Sequence, residues 1–259
     1  RWGLVTVELQ PGEQHRVLIP PGAEFLQGDV RCLRAVSTLH PPCPFDGVMM
    51  DPPWASHSVR RGAVYQCMPR TARHKDALSL LQDIPVPKLL PRARVHQGSG
   101  LLMMWCTNDP RLQQEVIDRI LPAWGWRHVA TWGWLKTAGN GDPVFPLLAH
   151  PRDQAGGAKG SSNGRSPVEI LFLALPQDGD WSCPLAREVI DSDGWTVVCP
   201  VAEHSRKPPM WQVLPRVLPS LGGNILEIFA RELFPQWTSM GLECLKFCPR
   251  VDGRQTPRT

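Results

Sequence analysis

At 259 residues, with 42% hydrophobic and 20% charged side chains, the chain can bury a full core in one large domain, which argues against collagen, coiled coil or a fully disordered chain. The net charge of +4 permits an anionic partner without requiring one. The 28 Pro imply many rigid loops, and 11 Trp beside one Tyr imply a Trp-rich core or aromatic platforms in a site.

Short apolar runs alternate with helical patterns, the signature of an α/β sheet with crossover helices. In chain order the predicted strands are Phe45 to Met50, Leu101 to Trp105, Val129 to Leu135, Val168 to Leu175, Thr196 to Cys199, Asn224 to Phe229 and Glu243 to Phe247. The unbroken apolarity of Leu101 to Trp105 suits a strand covered on both faces. Pro110 to Leu121 reads as a helix capped by Asn108 or Asp109, and Met210 to Leu218 as a second that Pro215 should kink or end. Glycines and serines between Pro151 and Ser166 predict a flexible loop. One domain over 1–248, followed by a basic tail at 249–259, is the simplest organisation. Trp124, Trp126, Trp132 and Trp134 are expected in the core.

The eight cysteines form no C-x-x-C pair and no cluster at zinc spacing, so reduced, buried thiols and no metal are expected. No run approaches the ~18–20 apolar residues of a membrane span. No signal peptide is visible, and a start at Arg1 suggests a fragment of a longer chain.

The sharpest feature is Asp51-Pro52-Pro53-Trp54, directly after an apolar run. In open α/β sheets ligands bind beyond the carboxyl ends of strands. The exocyclic amine of a nucleobase is a poor nucleophile because its lone pair is delocalised into the ring. Two acceptors on its two hydrogens favour a pyramidal nitrogen and free that pair. The Asp51 carboxylate and the Pro52 carbonyl supply two acceptors, and the prolines bring no N–H to compete. Trp54 offers a face for an extruded base. The plainer alternative is a strand-ending turn in which Asp51 caps a helix and Trp54 is core. From Pro52 to Lys75 no Asp or Glu occurs, while Arg60, Arg61, Arg70, Arg73 and Lys75 do, an arrangement for phosphates or simply a solvated face.

Asp-Pro-Pro-Trp after a hydrophobic strand resembles the signature of the MT-A70 adenine-N6 methyltransferases. His204-Ser205-Arg206-Lys207-Pro208-Pro209 is similar to that family's Ser-His-Lys-Pro segment, and Leu226-Glu227-Ile228-Phe229-Ala230-Arg231 to its Glu-Leu-Phe-Gly/Ala-Arg segment. Val86-Pro87-Lys88-Leu89, Trp132-Gly133-Trp134-Leu135-Lys136 and Gln236-Trp237-Thr238-Ser239 point to its methyltransferase-like protein four branch. The resemblance implies a Rossmann-like fold with permuted motif order and a mostly parallel sheet. It implies S-adenosyl-L-methionine as cofactor and adenine in RNA or DNA as substrate. It also implies a nuclear address and a possible partner subunit.

Residue by residue, the resemblance puts Asp29 and Val30 at the cofactor's adenine, Lys207 at its methionine carboxylate with Asp51 facing the methionine, Phe229 beside the adenosine and Arg231 at the ribose. Tyr65 matches a tyrosine on a loop that closes over substrate. Read without the family, Lys207 could be solvated, Phe229 core, and Arg231 a surface partner of Glu227 or Glu232. Glu232 and Leu242, the latter beside Glu243, stand where the branch has asparagines that hydrogen-bond the adenosine. Ser166-Pro167-Val168-Glu169 stands where it has Lys-Pro-Tyr-Glu. These departures keep open a cofactor-weakened or non-catalytic nucleic-acid-binding subunit.

Overall fold

The fold was obtained as a computed structural model, described for residues 1–10, 13–34, 45–54, 74–90, 99–145, 166–201 and 206–251. The chain begins with an antiparallel hairpin of β1 (Gly3–Gln10) and β2 (Glu13–Ile19). There follow β3 (Glu24–Gln27), a 3-10 turn Val30–Cys32, β4 (Gly47–Met50), α1 (His74–Gln82) and the short α2 (Val86–Leu89). Next come β5 (Leu101–Cys106), α3 (Pro110–Glu115), a π-helical turn Val116–Ile120, α4 (Leu121–Trp124), β6 (Trp126–Thr137) and β7 (Val168–Pro176). The last elements are α5 (Pro184–Asp191), β8 (Thr196–Pro200), α6 (Met210–Val217), β9 (Ile225–Ile228) and β10 (Thr238–Gly241).

Eight strands form one sheet in the order β3-β10-β9-β4-β5-β7-β6-β8. The first five are mutually parallel, β7 is antiparallel to β5 and β6, and β8 is parallel to β6. Both faces are covered, as the unbroken apolar strands required. Met50, Leu102, Met104 and Ile228 pack with Leu81, Leu112 and Val116 on one side, and Met49, Met103 and Trp105 with Leu185, Val189 and Leu214 on the other. Most of the tryptophans lie in the core that packs on this sheet. Trp124, Trp126, Trp132 and Trp134 are all buried. The indole N–H groups of the last three reach Gly100 O, Ser192 Oγ and Cys199 O at 2.9–3.0 Å, so no donor is stranded.

Several expectations need correction. Glu243 to Phe247 is a run of turns, not a strand. The strand beside β9 is instead β10, with β3 outside it at the sheet edge, while Cys244, Leu245 and Cys248 fold over Val17 and Ile19 of the hairpin. The strands β1, β2, β3 and β10 escaped prediction because they carry little continuous apolarity. Asp109, not Asn108, caps the helix that starts at Pro110, accepting from Arg111 N at 3.0 Å. That helix runs past Leu121 to Trp124, and the π-turn lies where Pro122 removes a donor from the ladder. Gly125, at φ 85°, ends it. Pro215 is accommodated near the end of α6, which stops at Val217. Cys106, Cys183, Cys244 and Cys248 are buried as expected, whereas Cys32 is exposed and Cys199 half-buried. The predicted loop lies outside the described residues except for Ser166. Among the described residues no helix is long and apolar enough to cross a membrane.

Candidate active site at the carboxyl ends of the parallel strands

Four neighbouring parallel strands, β3, β10, β9 and β4, deliver their carboxyl ends to one edge, and each is followed by residues singled out from sequence. Together Asp29, Val30, Asp51, Pro53, Phe229, Arg231, Leu242 and Glu243 line a cavity of about 310 Å³. Asp51 is held in line with its strand by its N–H, which donates to Ile228 O at 3.3 Å. On β9 the chain then turns sharply, with Phe229 at φ 65°, a left-handed conformation that typically costs about 1–3 kcal/mol in a non-glycine residue. Gly241 allows this turn to press against β10, since a Cβ there would lie 2.8 Å from Ala230 O.

The electrostatics centre on Asp51. Lys207 Nζ lies 3.2 Å from its Oδ1 and Arg231 Nη2 lies 3.5 Å from its Oδ2. Lys207 also pairs with Glu169 at 2.9 Å, and Glu169 with Lys136 at 2.6 Å. The chain of charges therefore runs Arg231, Asp51, Lys207, Glu169, Lys136. Beneath the two lysines lie Trp105 and Trp134, with Lys207 Nζ 5.4 Å and Lys136 Nζ 5.0 Å from the ring centroids. Burial pushes the Glu169 carboxyl up, but Lys207 and Lys136 overcome it and hold the group at about 2. Burial pulls Lys207 down, yet Asp51 and Glu169 prevail and it stays charged well above the usual lysine range.

On the other side, Arg231 approaches Glu243 at 3.8 Å, and Lys246 braces Glu243 at 3.2 Å. Asp29 accepts from the N–H and Nε of Arg31, both at 2.9 Å, and these bonds lower its pKa against a modest burial penalty. Glu227 on β9 is buried, and its Oε2 has no hydrogen-bond partner among the described residues. Desolvation first, then the Asp51 and Glu232 charges, push it up to about 8 against the pull of Arg231.

Three details differ from the sequence reading. The Pro52 carbonyl accepts from Trp54 N at 2.7 Å, so a competing donor does exist, although one lone pair of the oxygen stays available. Trp54 is 7% exposed, belongs to the core and donates through Nε1 to Trp105 O at 2.8 Å, so the face expected to meet a base is covered here. Lys207 and Glu232, expected in the cofactor cavity, instead line a second recess of about 360 Å³ with Arg206, Trp211 and Phe234. Neither the solvated Lys207 nor the surface Arg231 of the plainer reading is found: Arg231 is 8% exposed and its carboxylate neighbours include Asp51 and Glu243. Tyr65, Arg60, Arg61, Arg70 and Arg73, with His204 and Ser205, lie outside the described residues.

Residue reading alone missed Lys136, Glu169 and Glu227 as part of this constellation. The signal was geometric: β7 runs antiparallel, so its first residues reach the same edge as the last residues of β6. Only Glu169, a Glu kept where the Lys and Tyr of the branch segment are lost, offered a hint.

A mostly parallel sheet covered on both faces, with an acidic residue held at a strand end above a cavity, defines a Rossmann-like domain. The profile of the MT-A70 family matches residues 45–243, and the chain belongs to that family. It is 31% identical over 237 residues to the human "N(6)-adenine-specific methyltransferase METTL4", covering 90% of this chain and 44% of that protein. It is 32% identical to the "DNA N6-methyl methyltransferase" of Caenorhabditis elegans, covering 87% and 52%, and 30% identical to the "N6-methyladenosine RNA methyltransferase MTA1" of Pyricularia oryzae, covering 91% and 56%. The chain thus spans about half the length of these relatives, and within the family it falls with the METTL4-like branch.

Proposed function

We propose that the domain transfers a methyl group from S-adenosyl-L-methionine to the N6 amine of adenine in RNA or DNA. The observation that carries this reading is Asp51: a carboxylate fixed at the end of β4 by two cations, open to a cavity sized for a small molecule. At about 310 Å³ the cavity falls near the lower end of the ~300–1,000 Å³ usual for such sites. Its donor set suits the cofactor, because Asp51 and Glu243 bring negative charge to the wall where a cationic sulfonium and ammonium would sit. Asp29 and Val30 would hold the adenine, Phe229 the adenosine and Arg231 the ribose region. Lys207, fixed beside Asp51, is within the same charge network for the methionine carboxylate.

The cofactor supplies an activated methyl group whose leaving group is already built in. What remains for the protein is placement. Asp51 and the free lone pair of the Pro52 carbonyl accept the two amine hydrogens and orient the nitrogen. The paired cations hold the Asp51 carboxylate in place from both sides, so the acceptor needs no reorganisation at the moment of transfer. Arg60, Arg61, Arg70, Arg73 and Tyr65 would hold the polynucleotide. The names of the relatives, one a DNA and one an RNA methyltransferase, support the base and leave both sugars in play.

A second reading, a cofactor-weakened partner subunit, draws on Leu242, an apolar side chain in the cavity wall where the branch has asparagine. A lost hydrogen bond of this kind costs about 0.5–1.5 kcal/mol. Methyl incorporation into adenine-containing oligonucleotides by wild type and by Asp51→Asn decides between them. Incorporation by wild type with a loss of about 100-fold or more in the variant, the scale of losing a preorganised polar contact, supports the enzyme; no incorporation with retained oligonucleotide binding supports the subunit.

A further inference from the structure

Glu232 raises a problem that the site alone does not answer: a carboxylate stands where the branch has a neutral asparagine, next to Arg231. Its neighbour resolves it. Glu232 accepts from Arg206 Nε at 2.8 Å and, through its other oxygen, from Arg206 Nη2, a two-pronged pairing of planar groups. Arg206 itself stands where the family segment has histidine, so both departures meet in a single ion pair. The Arg206 guanidinium lies 5.8 Å from the Phe247 ring centroid, and the Phe247 N–H donates to Arg231 O at 2.9 Å. Three segments, following β8, β9 and β10, are thereby tied at one point.

The register of this tie matters. Arg206 and Glu232 pair with each other, while the adjoining residues Lys207 and Arg231 both turn to Asp51. We propose that Arg206 and Glu232 are a matched pair of positioning residues, a latch that sets Lys207 and Arg231 on either oxygen of Asp51 and so shapes the cofactor cavity. Glu232 lines the second recess and not the cofactor cavity, and its carboxylate is paired with Arg206, so it adds no anion to the cofactor wall. The pair does not touch the reacting atoms. Its link to the cofactor rests on the function proposed above; its link to Lys207, Arg231 and Phe247 does not.

The test compares wild type, Arg206→Gln, Glu232→Gln and the swap Arg206→Glu/Glu232→Arg by two measurements. One is calorimetry with S-adenosylhomocysteine, and the other is amide hydrogen exchange at Phe247. Each single variant should bind about 5–20-fold more weakly and exchange the Phe247 amide about tenfold faster, and the swap should bring both within about threefold of wild type, the pattern of a coupled pair. Single variants that bind as wild type, or a swap no better than either single, overturn the latch. Should wild type itself bind no cofactor, the functional reading fails and the exchange data alone judge the latch: Phe247 protection unchanged in Glu232→Gln overturns it.

Discussion

Asp51 is a short side chain between two long cations, and its neighbours decide what it can do. Ion pairs on exposed surfaces contribute little, but here Lys207 and Arg231 are 16% and 9% exposed at the side chain, so removing a partner leaves a charge uncompensated. Lys207→Met should therefore lower stability by about 3–5 kcal/mol, read by denaturant unfolding. Glu169 and Glu227 titrate in opposite senses. The folded Glu169 sits at about 2, below its ordinary 4.5, so its contribution is present above about 4.5 and is lost as pH falls through about 2. The folded Glu227 sits at about 8, so its contribution is full below about 4.5 and is lost as pH rises through about 8. Melting of wild type should accordingly decline between pH 5 and about 8, and Glu227→Gln should flatten that decline; an unchanged slope in the variant would show that Glu227 is ionised in the fold. Asp51, Phe229 and Arg231 were legible in the sequence because local motifs carry them. Glu169 and Lys136 were not, because their role arises only when distant strands meet.

At the scale of elements, the site depends on a close approach between the turn after β9 and the end of β10. Phe229 takes a left-handed turn, Ala230 N donates to Met240 O at 3.0 Å, and Gly241 leaves room for both. Gly241→Ala would place a methyl 2.8 Å from a backbone oxygen, an atom that cannot swing away. A loss of about 1–3 kcal/mol is expected by thermal melting, together with weaker cofactor binding; wild-type values in both would show that this contact has slack. Strands β4, β5 and β7 were readable because burial on both faces writes itself as unbroken apolar sequence. Strand β10, only four residues of Thr, Ser, Met and Gly, was hidden because its pairing is imposed by neighbours and not by its own pattern. The misplaced strand at Glu243 to Phe247 has the same origin: its apolar residues serve the hairpin core, for which sequence period gives no warning.

For the whole molecule, a net charge of +4 is a weak attractor by itself, so under the proposed function the basic stretch that follows Asp51-Pro52-Pro53-Trp54 would hold the polynucleotide. Replacing Arg60, Arg61, Arg70 and Arg73 together by Ala should lower oligonucleotide affinity and reduce the salt slope by about 3, as expected for about four lost phosphate contacts on a single strand. Cofactor affinity should be unchanged, and an unchanged salt slope would place the polynucleotide elsewhere. The central claim, that this MT-A70 domain methylates adenine at N6 through Asp51, is tested most directly by nucleoside mass analysis of matched RNA and DNA oligonucleotides. Each would be incubated with S-adenosylmethionine and either wild type or Asp51→Asn. The account predicts N6-methyladenine in at least one of the two substrates with wild type and at least about 100-fold less with the variant. Methylated adenine formed equally well by Asp51→Asn, or none formed by wild type on either substrate, would contradict it.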